Sequence, residues 1–314
     1  MSEAMSKPRA TLTRRAFMAS TAAAAVVSAL PSGAAVAADT PHLRRIPKTG
    51  VEIPAVGMGT WITFNVGDDP QLRAERAEVL RTFFALGGSV VDSSPMYGSS
   101  EAVVGHCLAR LPEAVPLFSA TKVWTWLGMS GPGQIEESRR LWGLDTFDLL
   151  QVHNLLSWES HLETLLEEKA AGRVRHIGVT TSHGRRHEEL EKIMRTQPID
   201  CVQLTYNILD REAERRLLPL AADQGLAVIV NRPFRQKDLF HRFAAHPLPE
   251  WAAEIGCGNW AQFFLKFIIA HPAVTCAIPA TSRVDHMREN MGALQGPLPD
   301  PAMRERMTRY VESL

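Results

Sequence analysis

Apolar positions along this chain fall into two alternating patterns. Short continuous apolar runs, the mark of strands buried on both faces, alternate with longer segments whose apolar residues recur at helical spacing. The strand-like runs are 55–60, 89–92, 117–122, 149–153, 176–180, 201–206, 227–232 and 275–279. The helix-like segments after them are 70–86, 100–110, 134–141, 159–171, 186–195, 212–224, 260–270 and 285–294. In the first helix Val79, Leu80, Phe83 and Phe84 share one face, and Gly87-Gly88 stops it. A short hairpin about Thr49-Gly50, spanning Leu43 to Ile53, precedes these units. Eight strand–helix units in succession predict α/β architecture, a single (β/α)8 TIM barrel with a short N-terminal hairpin. A doubly wound open sheet is the alternative. It is expected to carry G-x-G-x-x-G after its first strand, and no such motif occurs.

The first 38 residues carry a different pattern. Thr13-Arg14-Arg15-Ala16-Phe17-Met18 is a twin-arginine sequence, followed by a mild apolar run from Ala19 to Leu30 and by Ala35-Val36-Ala37-Ala38, a small-residue cleavage signal. The run is short of the roughly 20 apolar residues a transmembrane helix needs. Residues 1–38 are therefore expected to be a twin-arginine signal peptide and 39–314 the barrel. The expected partner is the twin-arginine export machinery, with the mature protein periplasmic or secreted and no stable membrane insertion. This route exports proteins already folded, often with a cofactor inside.

Charge and cysteine usage narrow the function. Lys and Arg total 34, as do Asp and Glu, so no basic excess points to nucleic acid. Cys107, Cys201, Cys257 and Cys276 are far apart, without metal or disulfide spacing, and no H-x-H or H-E-x-x-H pattern suggests a metal.

The C-terminal ends of barrel strands carry the chemistry. Asp92 ends the second strand with Tyr97 in the loop beyond it, Lys122 ends the third and His153 the fourth. Taken singly, Asp92 also fits a helix cap and Tyr97 a packed ring. Together the four form a proton-transfer set. Tyr has an ordinary pKa of about 10 and is a sluggish acid at neutral pH. An ammonium at about 4 Å favours its phenolate by about 4 kcal/mol at an effective dielectric of about 20, before desolvation. Asp92 can keep the lysine charged by a salt bridge, and neutral His153 can orient a substrate oxygen.

These stretches resemble the aldo/keto reductases over essentially the whole chain after the signal. The resemblance rests on Gly57-Met58-Gly59-Thr60-Trp61, Asp92 through Tyr97-Gly98 to Ser100-Glu101, Thr121-Lys122-Val123-Trp124 and Leu149 to His153. It continues through Gly172 to Val179, Gln203 with Tyr206-Asn207, and Ile278 to Ser282 with Glu289-Asn290. It implies an NADP(H)-dependent oxidoreductase that reduces a small-molecule aldehyde or ketone. Asp92, Tyr97, Lys122 and His153 would be catalytic, with Tyr97 the general acid. Trp61 and Trp124 would line the substrate pocket beside Tyr97 and His153. A barrel that binds nucleotide as a redox sensor or auxiliary subunit is the other class.

The cofactor positions follow one at a time. The resemblance puts Thr60, Trp61 and Asp92 beside the cofactor and Gln203 on the nicotinamide carboxamide. Thr180 and Thr181 stand where the family usually has Ser and Asn. Asn231-Arg232-Pro233-Phe234 replaces the usual Tyr-Ser-Pro-Leu, so no aromatic side chain at Asn231 stacks on nicotinamide. Arg232 fits either stacking of its guanidinium on the nicotinamide or a bond to the pyrophosphate, and the basic loop Phe234-Arg235-Gln236-Lys237 fits either a pyrophosphate clamp or a solvated charge cluster. The usual 2′-phosphate lysine and arginine are Ala280 and His286, with Thr281, Ser282, Arg283 and Arg288 nearby, and Glu289 and Asn290 match the adenine-binding pair. The resemblance favours NADP(H) over NAD(H), without a metal. The extended C-terminal tail of many relatives is expected to be absent, leaving an open site.

Overall fold

The computed structural model describes residues 41–111 and 115–314, so the expected signal peptide lies outside the described residues. Strands β1 (Leu43–Arg45) and β2 (Glu52–Pro54) form the antiparallel hairpin, with Leu43 opposite Pro54. The barrel strands are β3 (Met58–Gly59), β4 (Val90–Asp92), β5 (Phe118–Val123), β6 (Phe147–Val152), β7 (Val174–Thr180), β8 (Cys201–Thr205), β9 (Ala227–Asn231) and β10 (Cys276–Ala277). Around them run α1 (Pro70–Ala85), α2 (Ser100–Leu108), α3 (Gly131–Trp142), α4 (Trp158–Ala170), α5 (His187–Thr196), α6 (Leu217–Asp223), α7 (Asp238–Phe243), α8 (Trp260–Ile269), α9 (Val284–Gly292) and α10 (Pro301–Glu312).

Each barrel strand pairs in parallel with its neighbour in sequence, from β3 to β10. Parallel bridges Val56–Ala277 and Gly59–Ala280 bring the two ends of the sheet together. This is the (β/α)8 architecture that the alternating pattern predicts. The first strand approaches its neighbour so closely that a Cβ on Gly57 would lie 2.9 Å from the Val90 side chain.

Strand periodicity of two explains where the polar residues go. Val90, Phe118, Ala120, Leu149, Cys201, Ala227, Ile229 and Cys276 pack with Ile46 and Ile53 of the hairpin into one buried cluster. Val90, Ala120, Leu149, Cys201 and Ile229 each stand two residues before a polar one: Asp92, Lys122, Gln151, Gln203 and Asn231. The same faces therefore pass from apolar to polar toward the C-terminal ends. The other strand faces join the helices in the larger core.

Three stretches differ from the sequence expectation. The helix expected over 212–224 is broken at Arg216 (φ −138°) into a 3-10 turn, Glu212–Arg215, and α6. Pro219 lacks the N–H a continuous helix would need, and it is accommodated in the first turn of α6. The long loop after β9 contains α7 and a 3-10 turn, Glu250–Ile255. Helix α10 follows the last predicted helix; Asp300 caps it by accepting from Met303 N at 2.7 Å, with Pro301 next. Its buried face is only Met307, Thr308 and Val311, too sparse to mark it by periodicity.

Candidate active site

The site starts at the end of β4. Asp92 faces into the barrel, and Ser94 caps a 3-10 turn, Pro95–Tyr97, by accepting from Met96 N at 3.2 Å. Gly98 ends the turn at φ 63°, ψ −122°, a conformation that only glycine adopts without strain. Tyr97 is thereby held half-buried above the strand ends.

Lys122 is fully buried beneath it. Its ammonium donates to Asp92 Oδ1 and to Ser93 O, both at 2.6 Å, and lies 5.2 Å from the centre of the Tyr97 ring. Asp92 Oδ2 accepts from Gln203 Nε2 at 3.0 Å and from Gln151 Nε2 at 3.3 Å. Two strand-end amides and one ammonium thus hold the carboxylate in place. Burial alone pulls the Lys122 pKa down, but Asp92 and then Tyr97 outweigh it, and the net shift is upward. The lysine stays charged. Burial pushes the Tyr97 phenol above its ordinary value while Lys122 pulls against it, so the phenol keeps its proton at neutral pH.

Strand β6 ends at Val152, one residue short of the expectation, and His153 opens a 3-10 turn. Its side chain still reaches the site, with its ring 5.5 Å from that of Tyr97 and nearly perpendicular to it. Burial, then the Lys122 charge, hold the His153 pKa well below its ordinary value, so the imidazole is neutral. The structure thus brings the four predicted residues together: a charged lysine, its carboxylate, a protonated phenol and a neutral imidazole.

A cleft of about 640 Å³ opens above them. It is lined by Thr60, Trp61, Asp92, Tyr97, His153, Thr180, Gln203 and the segment Asn231–Lys237. The predicted residues Trp124, Thr181, Thr281, Ser282, Arg283, His286, Glu289 and Asn290 do not line it; Ala280 is the last residue that does. Arg283 is paired with Asp285, its Nε at 2.9 Å from Oδ1. Sequence reading missed Gln151, and also Ile62, Met96, Asn154, Ser182, His183 and His241 in the lining. For Gln151 the signal was present: it lies between Leu149 and His153 on the inward parity of β6.

The donors suit an anionic nucleotide. Arg232 lines the cleft with its Nη1 buried and without a hydrogen-bond partner. Arg235 is held between Asp210 at 3.1 Å and Asp238 at 3.4 Å. Lys237 is exposed. Arg232, Arg235 and Gln236 adopt left-handed φ of 52°, 47° and 66°, and such conformations in non-glycine residues cluster at ligand clamps. Asn231 donates to Thr181 O at 2.8 Å and accepts from Thr205 Oγ1 at 2.7 Å, so it braces the ends of β8 and β9. The Gln203 amide is shared between Asp92 and, at 3.4 Å, Asn231.

The model of the aldo/keto reductase family matches residues 55–306. The chain belongs to that family. The match spans every barrel strand and the whole of the site. Methylglyoxal reductase YeaE of Escherichia coli (strain K12) is 28% identical over 250 residues, covering 78% of this chain and 87% of that one. The NADH-specific methylglyoxal reductase of the same organism is 26% identical over 232 residues, covering 62% of this chain and 68% of that one. An aldo/keto reductase from Klebsiella pneumoniae, solved with NADP and acetate, superposes with a TM-score of 0.73. It is 23% identical and covers 87% of this chain and 96% of that one, a likeness of fold.

Proposed function

We propose that this aldo/keto reductase reduces a small uncharged aldehyde or ketone with NADPH as the preferred cofactor. The observation that carries the reading is the Lys122–Asp92 pair beneath Tyr97, with neutral His153 beside it, at one cleft. NADPH, when bound, supplies a hydride to the carbonyl carbon. Arg232 has the free donor to hold its pyrophosphate, with Lys237 adding charge at the rim. Gln203 and Thr180 would meet the nicotinamide.

The protein's own residues manage the oxygen. His153 holds the carbonyl oxygen in place. As negative charge develops there, Tyr97 gives up its phenolic proton, a role typically worth about 10²–10⁴-fold in rate. Lys122 stabilises the phenolate left behind, and Asp92 keeps Lys122 charged and fixed. Trp61, Ile62 and Met96 give the cleft an apolar wall beside Tyr97, apart from the charged Arg232–Asp238 side, which suits a small neutral carbonyl compound. Methylglyoxal is the first substrate to try, because relatives bear that name.

The twin-arginine pattern at Arg14-Arg15 supports export of the folded barrel, and we infer that the cofactor is loaded before export and leaves slowly. Native mass spectrometry of the mature protein, purified without added nucleotide, tests this. A retained NADP(H) mass is expected; a nucleotide-free protein contradicts loading. The reductase reading is tested by NADPH oxidation with small aldehydes and ketones. Turnover of at least one is expected, and nucleotide binding without any turnover favours the sensor class.

A further inference from the structure

Ser94 is fully buried. Its Oγ lies 2.7 Å from His153 Nδ1. The same oxygen accepts from Met96 N, and the Ser94 carbonyl accepts from Tyr97 N at 2.9 Å. Ser94 therefore touches both the turn that carries Tyr97 and the ring that faces it.

A neutral imidazole has one N–H and one bare nitrogen, and its partner decides which is which. Two arrangements fit the 2.7 Å contact. In the first, the Ser94 hydroxyl donates to a bare Nδ1, and the imidazole proton sits on Nε2. In the second, Nδ1–H donates to Oγ, and Nε2 is bare. The Met96 N–H already occupies one lone pair of Oγ. The second arrangement would fill the remaining lone pair and leave the hydroxyl proton without an acceptor, since Oγ makes no hydrogen bond besides these two among the described residues. A buried donor without an acceptor is costly, and water does not reach this oxygen. The first arrangement satisfies the Ser94 hydroxyl and His153 Nδ1 together.

We propose that Ser94 is a positioning residue that fixes the tautomer of His153, holding the imidazole proton on Nε2 so that the ring donates a hydrogen bond to the substrate oxygen. The proposal rests on the reductase reading for its use and on the Ser94–His153 geometry for its existence. A carbonyl oxygen only accepts, so a bare Nε2 would repel it, and the wrong tautomer would leave Tyr97 to hold the oxygen alone. Because one residue caps the Tyr97 turn and bonds the His153 ring, the proton donor and the orienting donor share a fixed reference.

The test has two parts with independent readouts. Nitrogen-15 NMR of the full chain, labelled in its histidines, reports directly which His153 nitrogen carries the proton. His153→Gln identifies its signals. We expect a bare Nδ1 and a protonated Nε2 at neutral pH, and a protonated Nδ1 overturns the proposal even if the enzyme turns over carbonyls. The second part is Ser94→Ala. The expected result is an Nδ1-protonated or mixed His153 signal. We also expect a drop in kcat of roughly 10-fold, about the scale of one hydrogen bond, with NADPH affinity unchanged. A variant that folds, keeps its Nε2 proton and keeps its kcat overturns the proposal. If that variant does not fold, the wild-type tautomer alone decides. If no carbonyl is turned over while the wild-type ring is protonated on Nε2, the reductase reading falls and the Ser94 assignment stands.

Discussion

Lys122 and Asp92 meet at 2.6 Å with both side chains shut away from water, at 0% and 3% exposure. Such a pair is held by each partner's need for the other. Removing one leaves an uncompensated buried charge, a loss of about 3–5 kcal/mol. Asp92→Ala is therefore expected to lower unfolding stability by about that amount in urea titrations. The double variant Asp92→Ala, Lys122→Met is expected to recover part of it, because no charge is then stranded. Reductase activity stays lost in both. An Asp92→Ala variant as stable as the parent would show that Lys122 is neutral or solvated.

The buried imidazole makes stability depend on pH. The folded pKa of His153 lies well below its ordinary value, with burial the main cause and Lys122 the second. Its contribution is therefore fully present above the unfolded pKa of about 6.5 and is lost as pH falls through the folded pKa. The slope is at most about 1.4 kcal/mol per pH unit for one group. His153→Gln is expected to flatten the decline in stability between pH 7 and pH 5 by up to that amount, measured by urea titration at each pH. Identical slopes in the two proteins would contradict a buried neutral imidazole.

Arg232 gives a prediction with opposite signs for stability and binding. Its Nη1 is buried without a partner, and burial pulls its pKa down. Arg232→Met is expected to leave the nucleotide-free protein as stable as before or more stable. It should weaken NADPH binding about 10- to 100-fold, the scale of a charge-assisted hydrogen bond. Fluorescence titration and thermal melting read the two effects separately. A variant with lower stability and unchanged affinity would make Arg232 a structural strut.

Cofactor preference can be moved at Ala280. It is exposed and borders the cleft, at the position that the family resemblance matches to a 2′-phosphate lysine. Ala280→Lys is expected to tighten NADPH binding about tenfold while leaving NADH within about twofold, since a new ammonium meets only the 2′-phosphate. Equal effects on both nucleotides would place the 2′-phosphate elsewhere.

The barrel was legible because strand and helix periods alternate without interruption. The four polar residues were legible because each ends, or closely follows, an apolar run. What sequence reading missed had weak local signals. Helix α10 buries too few residues to show a stripe, although Asp300-Pro301 marks its start. Gln151 reads as the tail of a strand until the inward parity shared with Leu149 and His153 is followed. Ser94 lies in the loop between Asp92 and Tyr97. Its contact with His153 spans 59 positions in sequence, and no local pattern encodes it. The expected adenosine segment, Thr281 to Asn290, does not line the cleft, whose last lining residue is Ala280.

The most direct test of the account is single-turnover oxidation of bound NADPH by methylglyoxal in the parent and in Tyr97→Phe. The variant keeps the ring and loses only the proton. The account predicts a fall in rate of about 10²-fold or more with NADPH affinity unchanged. An unchanged rate in Tyr97→Phe would contradict Tyr97 as the proton donor.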